Sequence, residues 1–150
     1  MIVWTCKPEL LITSDIEPQT AVRKPLPSDS EAEKKDKRNF PYINKRAVKW
    51  HIDYLGLVYD ILIPKGFLWN GTNCIGLQYH PKLLNASMVH DALCNDHSLV
   101  GNDRQLSSII FRELGIASGA SKAFMWVAYS AVDNYQKIFG RDLEGNGWLY

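Results

Sequence analysis

The chain has few cysteines, no long apolar run and no excess of charge of one sign. Each shortage removes a class of protein. It holds three cysteines, Cys6, Cys74 and Cys94. An odd number without C-x-x-C spacing argues against a disulfide framework and a zinc ribbon, and points to a reducing compartment. The most apolar stretch, Ala123 to Val132, falls short of the ~20 residues a membrane span requires, so no transmembrane segment is expected. The opening, MIVWTCKPELL, has no basic segment ahead of an apolar run, so no secretory signal is expected either. With 17 Lys and Arg against 16 Asp and Glu, the net charge is +1. That balance offers nucleic acid no electrostatic foothold.

What remains reads as one soluble domain over residues 1–150. The hydrophobic fraction, 46%, is enough for a core in a chain of this length. Met1 to Thr13 has strand character, with Ile2, Val3, Trp4 and then Leu10, Leu11, Ile12 broken by Lys7-Pro8. Ser14 to Pro41 holds four of the seven prolines and a dense run of mixed charge. It is too polar to offset its own ordering entropy and is read as a mobile insertion, or an arm that orders on a partner.

From Val48 the pattern takes period two: Val48, Trp50, Ile52, Tyr54, then Leu57, Tyr59, Ile61, Ile63, with Leu55-Gly56 between. This predicts a β-hairpin with one buried face, and leaves His51 on the exposed one. Phe67 to Pro81 is a turn-rich loop around Asn70-Gly71. Three helices follow. The first runs from Lys82 to His97, with Pro81 at its edge. The second starts near Asn102 or Asp103 and stops at Gly115. The third runs from Ser118 to Phe139, with Phe124, Val127, Ala128, Ala131, Tyr135 and Ile138 as its apolar stripe. Strands first and helices afterwards predict an α+β domain.

The chemistry concentrates in the first predicted helix, NASMVHDALCNDH. His90 shares its face with Leu83, Ala86, Ser87, Leu93, Cys94 and His97. An imidazole on such a face needs a partner. Asp103 heads the second helix in line with Leu106, Ile110 and Leu114. A short connection makes the two helices neighbours, so Asp103 is placed to accept from His90 and to fix its tautomer. Asp91, one position round, faces another volume. There it is placed to hold a hard cation with oxygens of the Asn70–Asn73 loop. Base, orienting acid and cation are the parts of a metal-assisted hydrolase.

Each residue also has a structural reading: His90 as a packing histidine, Asp103 as an N-cap, Asp91 as a solvated acid. Zinc held by His80, His90, Cys94 and His97 is a weaker alternative, because the spacing matches no zinc signature. Cys94 as a nucleophile competes with a buried, inert thiol.

The segments IPKGFLWNGTN, HP, VHDALC and NDRQLSSIIFRELGI occur in an order that resembles a phage and prophage family of unknown function. That family carries I-P-x-G-F-x-x-D-G-A-S, H-D-x-L-Y and A-D-x-x-F-x-x-x-L segments. The resemblance covers residues 61–140. The helix pair also resembles the core of phospholipase A2, which implies His90 as base, Asp103 as its orienting acid and Asp91 as a calcium ligand. Asn70 stands where the family has Asp, Asn73 where it has Ser, and Cys94 where it has Tyr.

The resemblance implies one of three roles. The first is a hydrolase of a lipid or envelope ester. The second is a non-catalytic virion component of tail, neck or baseplate, contacting other virion proteins through residues 14–41 and the C-terminal tail. The third is a phage factor acting on a host protein. Synthesis in the host cytoplasm follows from each.

Overall fold

The computed structural model describes residues 1–4, 7–72, 76–101 and 103–139. Its strands are β1 (Ile2–Trp4), β2 (Leu10–Ser14), β3 (Thr20–Val22), β4 (Tyr42–Asn44), β5 (Val48–Tyr54), β6 (Leu57–Ile63) and β7 (Leu68–Trp69). They form two antiparallel sheets, ordered β1-β2-β5-β6 and β3-β4-β7. A helix α1 (Glu31–Asn39) lies among the strands, and α2 (Leu84–Asn95), α3 (Arg104–Ala117) and α4 (Lys122–Phe139) follow them. The α+β class expected from the sequence is the class observed.

The predicted hairpin is β5 and β6, paired from Tyr54↔Leu57 to Val48↔Ile63. Its two-residue turn places Leu55 at φ 53°, the left-handed region that side chains rarely adopt. Period two then decides the faces. Ile12, Val48, Trp50, Ile52, Ile61 and Ile63 are all within 1% of complete burial on the inner face. Each such side chain contributes about 1.5–3 kcal/mol. Trp4 tilts against Trp50 at 5.6 Å, and its indole N–H donates to Ser14 Oγ at 3.0 Å.

The segment read as a structureless insertion instead carries β3 and α1. The reason is local chemistry. Ser30 Oγ accepts from the Glu33 N–H at 3.1 Å, while Glu33 reaches back to the Ser30 N–H at 2.7 Å, a complete capping box. Arg23 pairs with Asp36 at 2.7 Å and donates to the Phe40 carbonyl at 2.9 Å, closing the segment on itself. Lys37 pairs with Asp29 at 2.7 Å, and that hydrogen bond, with the one from the Leu26 N–H, holds the Asp29 carboxyl below its ordinary range. No residue of α1 is buried, so caps and ion pairs shape this helix without help from a core.

The helices depart from expectation at three points. The first is preceded by a single 3-10 turn at Pro81–Leu83 and ends at Asn95, with a second 3-10 turn at His97–Val100. The second runs through Gly115 to Ala117. Its left-handed glycine is Gly119 at φ 99°, where the N–H of Gly119 bonds Ile116 O and that of Ala120 bonds Gly115 O, a Schellman close. The third presents Met125, Ala128 and Val132 to the core, while Val127, assigned to the apolar stripe, is 72% exposed. Ile138 and Gly140 fall where the structure describes no side chain.

Gly115 owes its identity to space. A Cβ there would meet Met125 Cε at 2.3 Å and Sδ at 2.5 Å, and Met125 is itself fully buried. Alanine is favoured over glycine inside a helix by about 1 kcal/mol. We nevertheless expect Gly115→Ala to lower the urea midpoint, because overpacking costs about 1–3 kcal/mol. A raised midpoint would show that Met125 has room to move.

Candidate functional site

Nine consecutive residues of α2, Ala86 to Cys94, are buried. A helix buried on every side has no solvent to satisfy its polar groups, so neighbours must do so. On one side the neighbour is β7 and the turn after it. Trp69 Nε1 donates to Ser87 Oγ at 3.2 Å, and Ser87 Oγ donates to Leu84 O at 3.0 Å. The Asn70 N–H donates to Asp91 Oδ2 at 3.3 Å. With its amide oriented by the hydrogen-bond network, Asn70 Nδ2 also donates to Asp91 Oδ2 at 3.0 Å and to Gly71 O at 2.9 Å.

The turn is pinned from behind. A Cβ on Gly71, at φ 71°, would stand 2.3 Å from Gln78 O, which itself accepts from the Tyr42 hydroxyl at 2.9 Å. Only glycine fits both the conformation and the gap. Burial pushes the Tyr42 hydroxyl above its ordinary range.

The structure therefore brings together two of the residues assigned to the cation, Asp91 and Asn70. It does so with the amide nitrogen, not the oxygen, turned to the carboxylate. Asn73, the third, lies outside the described residues, as do Cys6, Cys74 and the tail from Arg141.

His90 is 2% exposed. Its ring lies 5.4 Å from that of Phe111 on α3, and its Nε2 is 3.9 Å from Cys94 Sγ one turn along. Asp103 is exposed. Its carboxylate accepts from the Leu106 N–H at 2.9 Å and caps α3. Among the described residues no hydrogen bond joins Asp103 to His90. The acid turns back onto the first turn of its own helix, where unpaired N–H groups compete for it.

Among the described residues no three His, Cys, Asp or Glu side chains converge as a metal centre. His80, named for zinc, instead stacks on Phe124 at 5.1 Å and accepts from the Lys82 N–H. The side chain of His97 lies outside what is described. Cys94 is 1% exposed, which closes it to a substrate.

One pairing was legible but not read. His51 Nδ1 lies 2.7 Å from Asp60 Oδ1 on the open face of the four-stranded sheet. The Leu55-Gly56 turn sets residue 51 opposite 60, so the hairpin register contains this contact. The pair lines a cavity of about 580 Å³ with Thr13, Lys49 and Leu62.

No family model matches the chain, no curated protein matches it, and no solved structure matches it. Among the described residues no helix is long and apolar enough to cross a membrane.

The two acids should separate in a stability measurement. Asp103→Ala removes a cap and is expected to cost about 1 kcal/mol. Asp91→Ala leaves the part-buried Asn70 N–H without its acceptor, at about 1–3 kcal/mol, and Asn70 Nδ2 with Gly71 O alone, and should cost more in the same urea titration. Equal losses would contradict the roles assigned here.

Proposed function

We propose that this chain is a non-catalytic, phage-type virion component that docks on a neighbouring virion protein through the open face of its four-stranded sheet. The observation that carries this reading is the composition of that face. Val3, Leu11, Val58 and Leu62 are 57%, 47%, 52% and 57% exposed. The strand register puts all four on the side opposite Trp50 and Ile52. Thr13, Lys49, His51, Asp53 and Asp60 share the face with them, and exposed aliphatics interleaved with polar groups are the composition of a non-obligate interaction surface. The phage-type assignment rests on the order of the four segments between Ile61 and Gly140.

The non-catalytic part rests on what the ionisable groups assigned to the site do. Asp91 receives a turn, His90 packs on Phe111, and Asp103 caps α3. One observation favours the hydrolytic reading, with His90 as base and calcium at Asp91. Two ionisable side chains stand side by side on a core helix, each more than nine-tenths buried, beside the Asn70-Gly71 turn. Such placement is frequent at reacting centres. It also describes a structural hydrogen-bond network, and the inward use of Asp91 fits that better.

The test uses particles assembled with variant chains. Leu11→Lys together with Leu62→Lys should abolish incorporation while circular dichroism stays native, and His90→Gln should incorporate normally. Normal incorporation of the double lysine variant would overturn the docking reading. Calcium-dependent turnover of a phospholipid ester by the purified chain, lost in His90→Gln, would replace it with the hydrolytic one.

A further inference from the structure

Where the turn between β1 and β2 meets α3 and α4, the surface encloses a cavity of about 470 Å³. Its inner wall is Arg112. That side chain is 6% exposed, an unusual depth for a guanidinium, which is almost never fully buried unless paired.

Only part of it is paired. Nε donates to Glu113 Oε1 at 3.1 Å. Two aromatic rings of α4 pack against it, with Cζ 4.8 Å from the Trp126 centroid and 4.7 Å from that of Tyr129. Among the described residues no acceptor meets the two Nη groups, which carry the remaining N–H donors. The N–H donors of a guanidinium lie in its plane, so with Nε tethered to Glu113 the Nη donors point along the opposite edge. Arg112 lines the cavity, so that edge borders the space.

The rim adds charge of the same sign. Lys7 and Lys122 line the cavity, and among the described residues Glu113 is the one carboxylate that lines it. Lys7 Nζ is 4.0 Å from Glu113 Oε1 and 4.0 Å from Glu9 Oε1, two loose pairs. Three cationic side chains thus meet at the cavity, and Lys122 has no ion pair among the described residues. Trp126, the remaining large wall, is 55% exposed.

We infer that this cavity binds a phosphate monoester carried on a flat apolar ring. The phosphate oxygens accept from the Nη groups of Arg112, Lys7 and Lys122 neutralise the second negative charge, and the ring lies against the exposed indole of Trp126. A phosphate monoester is close to dianionic at neutral pH and offers three acceptor oxygens, which suits three separate cationic side chains better than the two oxygens of a carboxylate do. Stacking on an indole whose other contacts are fixed adds affinity without ordering a new side chain.

Calorimetry on the full chain tests this with three probes: phenyl phosphate, inorganic phosphate and benzoate. Phenyl phosphate should bind about tenfold more tightly than either of the others, and its affinity should fall with salt. Lys122→Gln should weaken phenyl phosphate roughly three- to tenfold. Trp126→Ala should reduce it to the level of inorganic phosphate, and Arg112→Gln should abolish binding. If Arg112→Gln fails to fold, because Glu113 loses its partner, the Lys122 and Trp126 variants decide, since both positions are exposed. No heat from phenyl phosphate at millimolar concentration would overturn the inference, as would unchanged affinity in both variants. Benzoate binding as tightly as phenyl phosphate would overturn the phosphate class, and inorganic phosphate doing so would overturn the ring contact.

Discussion

Asp91 accepts the turn at Asn70 from inside the protein, and much of the architecture depends on that contact. A carboxylate 6% exposed on a core helix has to be met by donors, and the donors come from the end of β7. Trp69 and Ser87 repeat the connection one turn earlier on α2. These bonds bind the small sheet to the helix that packs on α3. β7, two residues long, is held on its other side by pairing with β4 and by Trp69 packed against Tyr42 and Phe67. The polar groups of α2 are thus the joint between the small sheet and the helical layer, which explains why a core helix carries them.

Farther along, the same logic fastens α4. Arg104 in the first turn of α3 pairs with Asp133 on α4, an acid only 7% exposed, and Arg112 two turns on is stacked beneath Trp126 and Tyr129. Met125 fills the remaining contact against Gly115. Breaking one member of such a buried pair exposes its partner's charge to hydrocarbon, so these contacts register the two helices more than they stabilise them. Arg112 differs from Arg104 in retaining donors that the described chain does not use. That surplus is what sets the cavity beside it apart from a packing defect.

The parts of this arrangement that follow from local periodicity are readable from the amino-acid order. The β5–β6 hairpin is one, because alternation and a two-residue Leu55-Gly56 turn determine register together. The burial of His90 is another, because most of its neighbours at three, four and seven residues, Leu83, Ala86, Leu93 and Cys94, are apolar. What could not be read depends on direction in space. Asp103 is compatible with bonding across the helix seam or with capping its own helix, and only side-chain orientation separates the two. Gly115 and Gly119 both look like helix stops, and the choice is made by Met125, ten residues on. The α1 helix was legible in Ser30-Glu33, yet the charge and proline around it argued for disorder, and the capping box prevailed over composition. The open face of the large sheet was legible in Leu11 and Leu62 only once β2 is paired with β5.

The central claim is that His90 belongs to the packed interior and not to an accessible reacting centre. Modification by diethyl pyrocarbonate, mapped by mass spectrometry on the folded chain, addresses it directly. His51, with its side chain 46% exposed, should be labelled at once, while His90 should stay protected until denaturant unfolds the chain. Labelling of His90 at a rate comparable to His51, with the fold intact, would contradict the account.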